Sequence, residues 1–420
     1  MSEKKGIQIE FTNIEDPYNI DFILSGTGAH SSFANAIRRT ILSEVSTISF
    51  KTEPFDENEV NIILNTSSLH NEYLLHRLGM IPININDIEK FNPNRYTFSL
   101  NETNNSKQIM DITTNHIKVF DTEANSGSGE LVDSETFFPI NSDTNEYILI
   151  TKLKPNPNGV GESLHFEGKA CKGNGKMNAR WQPTSCAVYY NTLDTEEVAR
   201  QLEIFLNKKK IELADQYEPN KSKLEKEFNI SHTERYYKKD DNGYANSFTF
   251  NIESCGILHS NKILEESLKL LVFKIGKFNS DINQILVNPT ETDIQIRQSE
   301  TVMDSFDIII PEENHTLGYL IQSYVQLLQS DKISFVGYFN PHPLKKKIIL
   351  RVSSLDKKIE TTIKIVSDVC TKLISYLGII RENVGKKFGT TKKKFVIKPK
   401  KKLVLGDGKK KLVLDEGTGN

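Results

Sequence analysis

The chain has 420 residues, 37% of them hydrophobic and 26% charged, a globular balance that excludes wholesale disorder. Its formal net charge of −2 conceals a division: residues 381–420 carry 13 Lys and Arg against 4 Asp and Glu, and the other 380 residues carry 40 against 51. An acidic body therefore bears a basic tail.

Four cysteines stand singly, so neither a disulfide framework nor a close-pair zinc site is expected, and the thiols read as reduced ones of an intracellular protein. The first residues lack the long apolar core of a secretory signal. No apolar run approaches ~18 residues, so no membrane-spanning helix is expected.

Residues 30–45 give the first strong helix signal. Phe33, Ile37, Ile41 and Val45 recur every four residues, and Ser31 or Ser32 offers a capping hydroxyl. Arg38 and Arg39 sit together on this helix. They read either as a solvated pair or as a contact to a carboxylate-bearing partner, because Arg pairs bidentately.

From about 51 to 245 the texture changes. Short β-like runs at 60–64, 96–100, 109–112, 147–151 and 186–190 alternate with Asn, Ser, Gly and Pro clusters. Loops are expected at 124–129 and 155–161. A helical stretch at 194–210 carries Val198, Leu202, Phe205 and Leu206 on one face, and a shorter charged one follows near 221–228.

Phe248, Phe250 and Ile252 alternate in a strand, and a helix over 260–276 presents Ile263, Leu268, Leu271 and Ile275. A polar connector is expected over 276–301, with a small strand at Ile294 and Ile296. The pattern then repeats. Phe306, Ile308 and Ile310 alternate; Asn314 or Thr316 caps a helix bearing Leu317, Leu320, Tyr324 and Leu328; and 347–353 reads as a strand. A last helix over 358–381 carries Ile359, Ile363, Val366, Cys370, Leu373, Leu377 and Ile380 in alternating steps of four and three. A seam ~36 Å long needs partner helices, and the earlier three supply them as a bundle.

Beyond 383 the tail duplicates nine residues, KKKLVLGDG at 400–408 and KKKLVLDEG at 409–417. It reads as a solvated segment, or as a contact to nucleic acid or an acidic partner. No phosphate loop, H-E-x-x-H, G-x-S-x-G or acidic metal cluster occurs. His315 and His342 are isolated and read as structural.

Six blocks carry a resemblance. FANAIRRTILSEVSTI at 33–48, NEYLLHRLGMIPI at 71–83, GNGKMNARWQPT at 173–184 and FNIESCGI at 250–257 resemble the alpha-type assembly subunit of multisubunit DNA-directed RNA polymerases. That family comprises bacterial alpha, its archaeal D-type counterpart and the third-largest eukaryotic subunit. ENHTLGYL at 313–320 and VGYFNPHPL at 336–344 resemble its small partner, of the archaeal L type. Two features depart from the pattern. Cys171 and Cys186 lack the close companions of the metal loop found in many relatives, so no metal site or cofactor is expected. The two subunits are also fused, a state that resembles large cytoplasmic DNA viruses.

The resemblance implies an α+β pseudo-dimeric platform. Two strand-helix halves would be joined by a helix bundle, with an inserted β-rich domain. The expected units are 1–52 plus 241–276, the insertion 53–240, a connector 277–304, a small-partner-like half 305–381 and the tail 382–420. It implies a non-catalytic scaffold that nucleates assembly of the two largest catalytic subunits and meets other small polymerase subunits. DNA would be reached through the complex, with a direct tail contact as an additional option, and no membrane is involved. The setting implied is a viral transcription compartment in host cytoplasm, with packaging in the virion a further expectation. Arg38, Arg39, His76, Arg77, Gly79, Pro82, Ala179, Arg180, Trp181 and Pro183 would face the large subunits, Gly79 and Pro82 by shaping a turn. Trp181 reads equally as a core aromatic. Phe33, Ile37, Ile41, Leu268, Leu271, Leu317, Gly318, Tyr324, Ile363, Cys370 and Leu377 would pack between the halves. The competing reading is a free-standing nucleic-acid-binding protein acting through its Lys-rich tail.

Overall fold

The computed structural model describes residues 6–85, 88–123, 130–141, 144–157, 159–213, 217–288 and 292–389. The loop expected at 124–129 and the repeat tail lie outside these residues.

β1 (Gln8–Asp16) and β2 (Asn19–Ser25) form a hairpin before α1 (Ser31–Ser43). β3 (Ser46–Phe50), β4 (Val60–Asn65), α2 (Asn71–Gly79), β5 (Tyr96–Thr103), β6 (Met110–Thr113), β7 (Lys118–Asp121), β8 (Glu130–Val132), β9 (Leu149–Leu153), β10 (Ser163–Gly168) and β11 (Ala170–Asn174) build an insertion. β12 (Thr184–Asn191), the helical hairpin α3 (Thr195–Leu213) and α4 (Tyr217–Ser231), β13 (Ser247–Ser254) and α5 (Ser260–Gln284) follow. The second half is β14 (Gln295–Gln298), β15 (Phe306–Pro311), α6 (His315–Gln329), β16 (Ile333–Phe339), β17 (Lys347–Ser354) and α7 (Ile359–Phe388).

The two halves are built alike. The first has an antiparallel sheet in the order β1-β2-β13-β12, and the second one in the order β14-β15-β17-β16. One face of each sheet is apolar because buried side chains recur at every second position. Ile20, Phe22 and Leu24 face Phe248, Phe250 and Ile252, and Phe22 stacks on Phe250 with ring centres 4.8 Å apart. Helices cover these faces. α1 meets α6, α5 meets α7, and α1–α5 and α6–α7 close a four-helix junction. A single continuous hydrophobic core runs through both halves. The insertion has its own core around Phe50, Phe98, Leu100 and Phe166.

Three boundaries differ from expectation. α5 continues past Gly276 to Gln284, because Phe278 and Ile282 are buried and offset the ~1 kcal/mol cost of a mid-helix glycine. The first part of the expected connector is therefore helix. α7 runs past Arg381 to Phe388, where the Phe388 ring meets Phe11 edge-on at 5.1 Å. Gly389, with φ 75°, ends it in the left-handed conformation that glycine adopts freely, its N–H reaching Gly385 O at 2.8 Å. Finally, β12 belongs to the first half's sheet while β3 pairs with β11 and buries Ile48 and Phe50 in the insertion's core. The insertion is thus not one block from 53 to 240. Alternation identifies a strand but not the sheet it joins.

Candidate functional site

The arginine pair on α1 lies where the two halves meet. His30, not Ser31 or Ser32, caps this helix: its Nδ1 accepts from the Ser32 N–H at 3.2 Å. Arg38 is half-buried and its Nε and Nη2 donate to Asn35 Oδ1 at 3.1 and 2.9 Å. Arg39 is exposed, and its Nε donates to Thr316 Oγ1 at 2.7 Å, across to α6.

Three tyrosines join them, none of which the sequence singled out. Burial pushes the Tyr189 hydroxyl on β12 up, opposed by Arg38 and reinforced by Tyr319 of α6. Burial likewise raises Tyr338 of β16, with Tyr319 adding to the rise and Arg39 opposing it. The Tyr319 and Tyr338 rings are 6.4 Å apart, and His315 meets Tyr338 edge-on at 5.7 Å. Tyr189 Oη donates to Ser31 O of α1 at 3.4 Å, so two arginines and three tyrosines from α1, β12, α6 and β16 gather around the meeting of the halves. Arg and Tyr are the residue types that dominate binding at interface centres. No local pattern could reveal this cluster, because its members come from both halves.

The second expected contact set behaves differently. His76 and Ala179 are exposed, and Pro82 is half-buried. Arg77 also reaches solvent, but its Nε and Nη2 donate to the carbonyls of Ile150 and Leu149 at 2.8 and 2.7 Å. Arg180, Trp181 and Pro183 are buried, so these side chains are not displayed to a partner. Arg180 Nη1 donates to Thr52 Oγ1 at 2.6 Å and Nη2 to Glu53 Oε2 at 2.9 Å, while Trp181 fills the space above Gly173. Gly79 does not shape a left-handed turn; it leaves room for Arg180, whose Nη1 would lie 2.4 Å from a Cβ there. The block is held from within by an arginine and a tryptophan whose one-letter pattern reads equally well as a display.

At the junction, Phe33, Ile37, Ile41, Leu268, Leu271, Leu317, Tyr324, Ile363, Cys370 and Leu377 are all buried in the shared core. Tyr324 also donates to Gly28 O, tying α6 to the loop after β2. Gly318 departs from expectation: it admits the Tyr338 ring of its own half, 2.5 Å from where a Cβ would lie. A polar link accompanies the apolar seam, with Lys274 Nζ 2.5 Å from Glu44 Oε1 and 3.5 Å from Glu313 Oε2. Among the described residues no group of three or more His, Cys, Asp or Glu is disposed to hold a metal ion, and no helix is long and apolar enough to cross a membrane.

The RNA polymerase Rpb3/Rpb11 dimerisation domain matches this chain twice, over residues 21–275 and over residues 305–383. The chain belongs to that family. The first match takes in most of the first half together with the insertion, and the second covers the second half from β15 onward, so the seam is a meeting of two dimerisation domains within one polypeptide. Among the relatives, the chain is 30% identical over 289 residues to the DNA-directed RNA polymerase subunit Rpo3 of Thermococcus kodakarensis, covering 66% of this chain and 99% of that protein. It is 25% identical over 281 residues to the RNA polymerase II subunit RPB3 of Schizosaccharomyces pombe, covering 63% and 84%. It is also 27% identical over 197 residues to a conjugation stage-specific protein of Tetrahymena thermophila, but spans only 59% of that protein's length.

Proposed function

We propose that this chain is an assembly subunit of a DNA-directed RNA polymerase, with no catalytic role of its own. The observation that carries the reading is the presence of two dimerisation domains in one chain, sharing one core. Fusion makes the pairing intramolecular, at an effective concentration on the order of millimolar for a short connector. The product is a platform whose surfaces, rather than any set of acids and bases, do the work.

The Arg38, Arg39, Tyr189, Tyr319 and Tyr338 surface is the proposed dock for a large catalytic subunit, through an acidic segment that the arginines grip. The face with His76, Arg77 and Ala179 is the proposed second contact. Fusion of the two subunit types supports a place in the cytoplasmic transcription machinery of a large DNA virus, with carriage in the particle as its extension. Affinity purification of the chain from its source is expected to bring down two large polymerase subunits. Recovery of the chain alone, or with nucleic acid only, would overturn the proposal. The double variant R38E/R39E is expected to lose the large subunits while keeping its thermal unfolding within a few degrees.

A further inference from the structure

A groove follows the outer side of α5. One end, lined by Glu265, Glu266, Lys269 and Leu270, lies beside the helix's first turns. The other opens into a cleft of about 800 Å³ between α5, the insertion and the second half, and Leu270 lines both. The cleft combines an apolar wall with excess negative charge. Phe273 stands 70% exposed on it, and five carboxylates face three lysines. Of those lysines, Lys274 already serves both Glu44 and Glu313. Burial pushes the Glu313 carboxyl up and Glu44 adds to the rise, while Lys274 and Lys176 oppose it.

The sequence holds a segment of matching chemistry. α5 and α7 run antiparallel: Asn283 donates to Ser367 Oγ at 2.9 Å, and Arg381 lies 3.9 Å from Glu265. α7 therefore ends near the start of the groove, and residues 390–420 continue from there. They contain the triplet-lysine, Leu-Val-Leu unit twice. Returning from Gly389 to the level of Glu265 takes ~12 Å, and Glu265 to Lys277 another ~18 Å, at the helical rise of ~1.5 Å per residue. Residues 390–399, extended at ~3.3 Å each, span ~33 Å. Measured along the helix axes, that length is enough to bring the first lysine triplet to the cleft, and the second repeat has more chain to do so.

We propose that one copy of the tail repeat docks in this groove in cis, its lysines on Glu312 and Glu313 and its Leu-Val-Leu triplet on Phe273 and Leu270. The duplication offers two equivalent occupants to one site. This goes beyond the assembly role and does not depend on it.

Carbodiimide coupling of the purified full chain, at a concentration where it is monomeric, tests the placement by mass spectrometry. Lysines 400–402 or 409–411 are expected to be joined to Glu312, Glu313 or Asp281. Replacing Leu403, Leu405, Leu412 and Leu414 by Ser should lower those products at least about fivefold, with unfolding of the body measured alongside and expected to stay unchanged. Cross-links scattered over the acidic surface, or unaffected by the Ser replacements, would overturn the proposal. A second readout addresses nucleic acid. If the groove holds the tail, Phe273→Ser should free its lysines and tighten binding to a labelled duplex DNA by about tenfold at low salt. Equal affinity in the two proteins means the tail is already free, and the proposal fails.

Discussion

A Cβ at Gly79 would lie 2.4 Å from Arg180 Nη1 and 2.5 Å from Thr52 Oγ1, both buried. Gly79→Ala is therefore expected to destabilise the insertion by about 1–3 kcal/mol through overpacking, measured by urea unfolding; a neutral result would mean that Arg180 moves freely. His30 makes a second residue-scale prediction. Burial holds its imidazole below the ordinary value of 6.5, with Asp240 opposing the shift. The neutral ring accepts the Ser32 N–H that starts α1. The unfolded chain takes up this proton near 6.5 and the folded chain only at lower pH, so folding is most favoured above 6.5. Stability from this residue should fall as pH drops from there toward the lowered value, and level off below it. Comparing unfolding midpoints at about pH 7.5 and about pH 5.5 checks the sign, and His30→Asn, which caps without titrating, should flatten this component. An unchanged slope in the variant would refute it. Sequence alone does not single out His30, since a histidine beside two serines leaves the cap to the hydroxyls.

Asp307 of β15 is 1% exposed and lies opposite Arg351 of β17, which grips it through Nε at 2.6 Å and Nη2 at 2.9 Å. This pair pins the register of the second sheet at its centre. Removing one partner leaves a buried charge that the other was desolvated to meet. Arg351→Met is expected to cost about 3–5 kcal/mol in chemical unfolding, and joint replacement of Asp307 by Leu should recover much of it. A small loss in the single variant would mean that Arg297, 3.8 Å from Asp307, suffices. The helices follow a different logic. α7 keeps its four-and-three spacing because its apolar stripe lies in the junction, where Val366, Cys370, Leu373 and Leu377 are fully buried. Leu373→Ala should cost about 2–5 kcal/mol, with the loss felt in both halves because their core is common.

At the scale of the whole molecule, that common core leads to the expectation that folding does not require the connector to be continuous. Two co-expressed chains divided after Asn288 should elute together in equal amounts, and independent elution would contradict a shared core. Much of this architecture is legible in the sequence. The strand, capped helix and long helix of each half follow from side-chain period, and period reports burial wherever one face of an element is covered. The buried junction residues follow from the same periodicity, and the family blocks lead to the two matched domains. What only the tertiary structure decided depends on contacts between distant positions. β12 alternates like its neighbours, yet its backbone hydrogen bonds place it in the first half's sheet. Arg180 and Trp181 look like display residues until Thr52, Glu53 and Gly173 close around them. The surface of Arg38, Arg39, Tyr189, Tyr319 and Tyr338 is assembled by helix packing across the seam. Local periodicity records which face of an element is buried; which neighbour buries it is settled by the global packing of two sheets and four helices, and that packing brings these five side chains together.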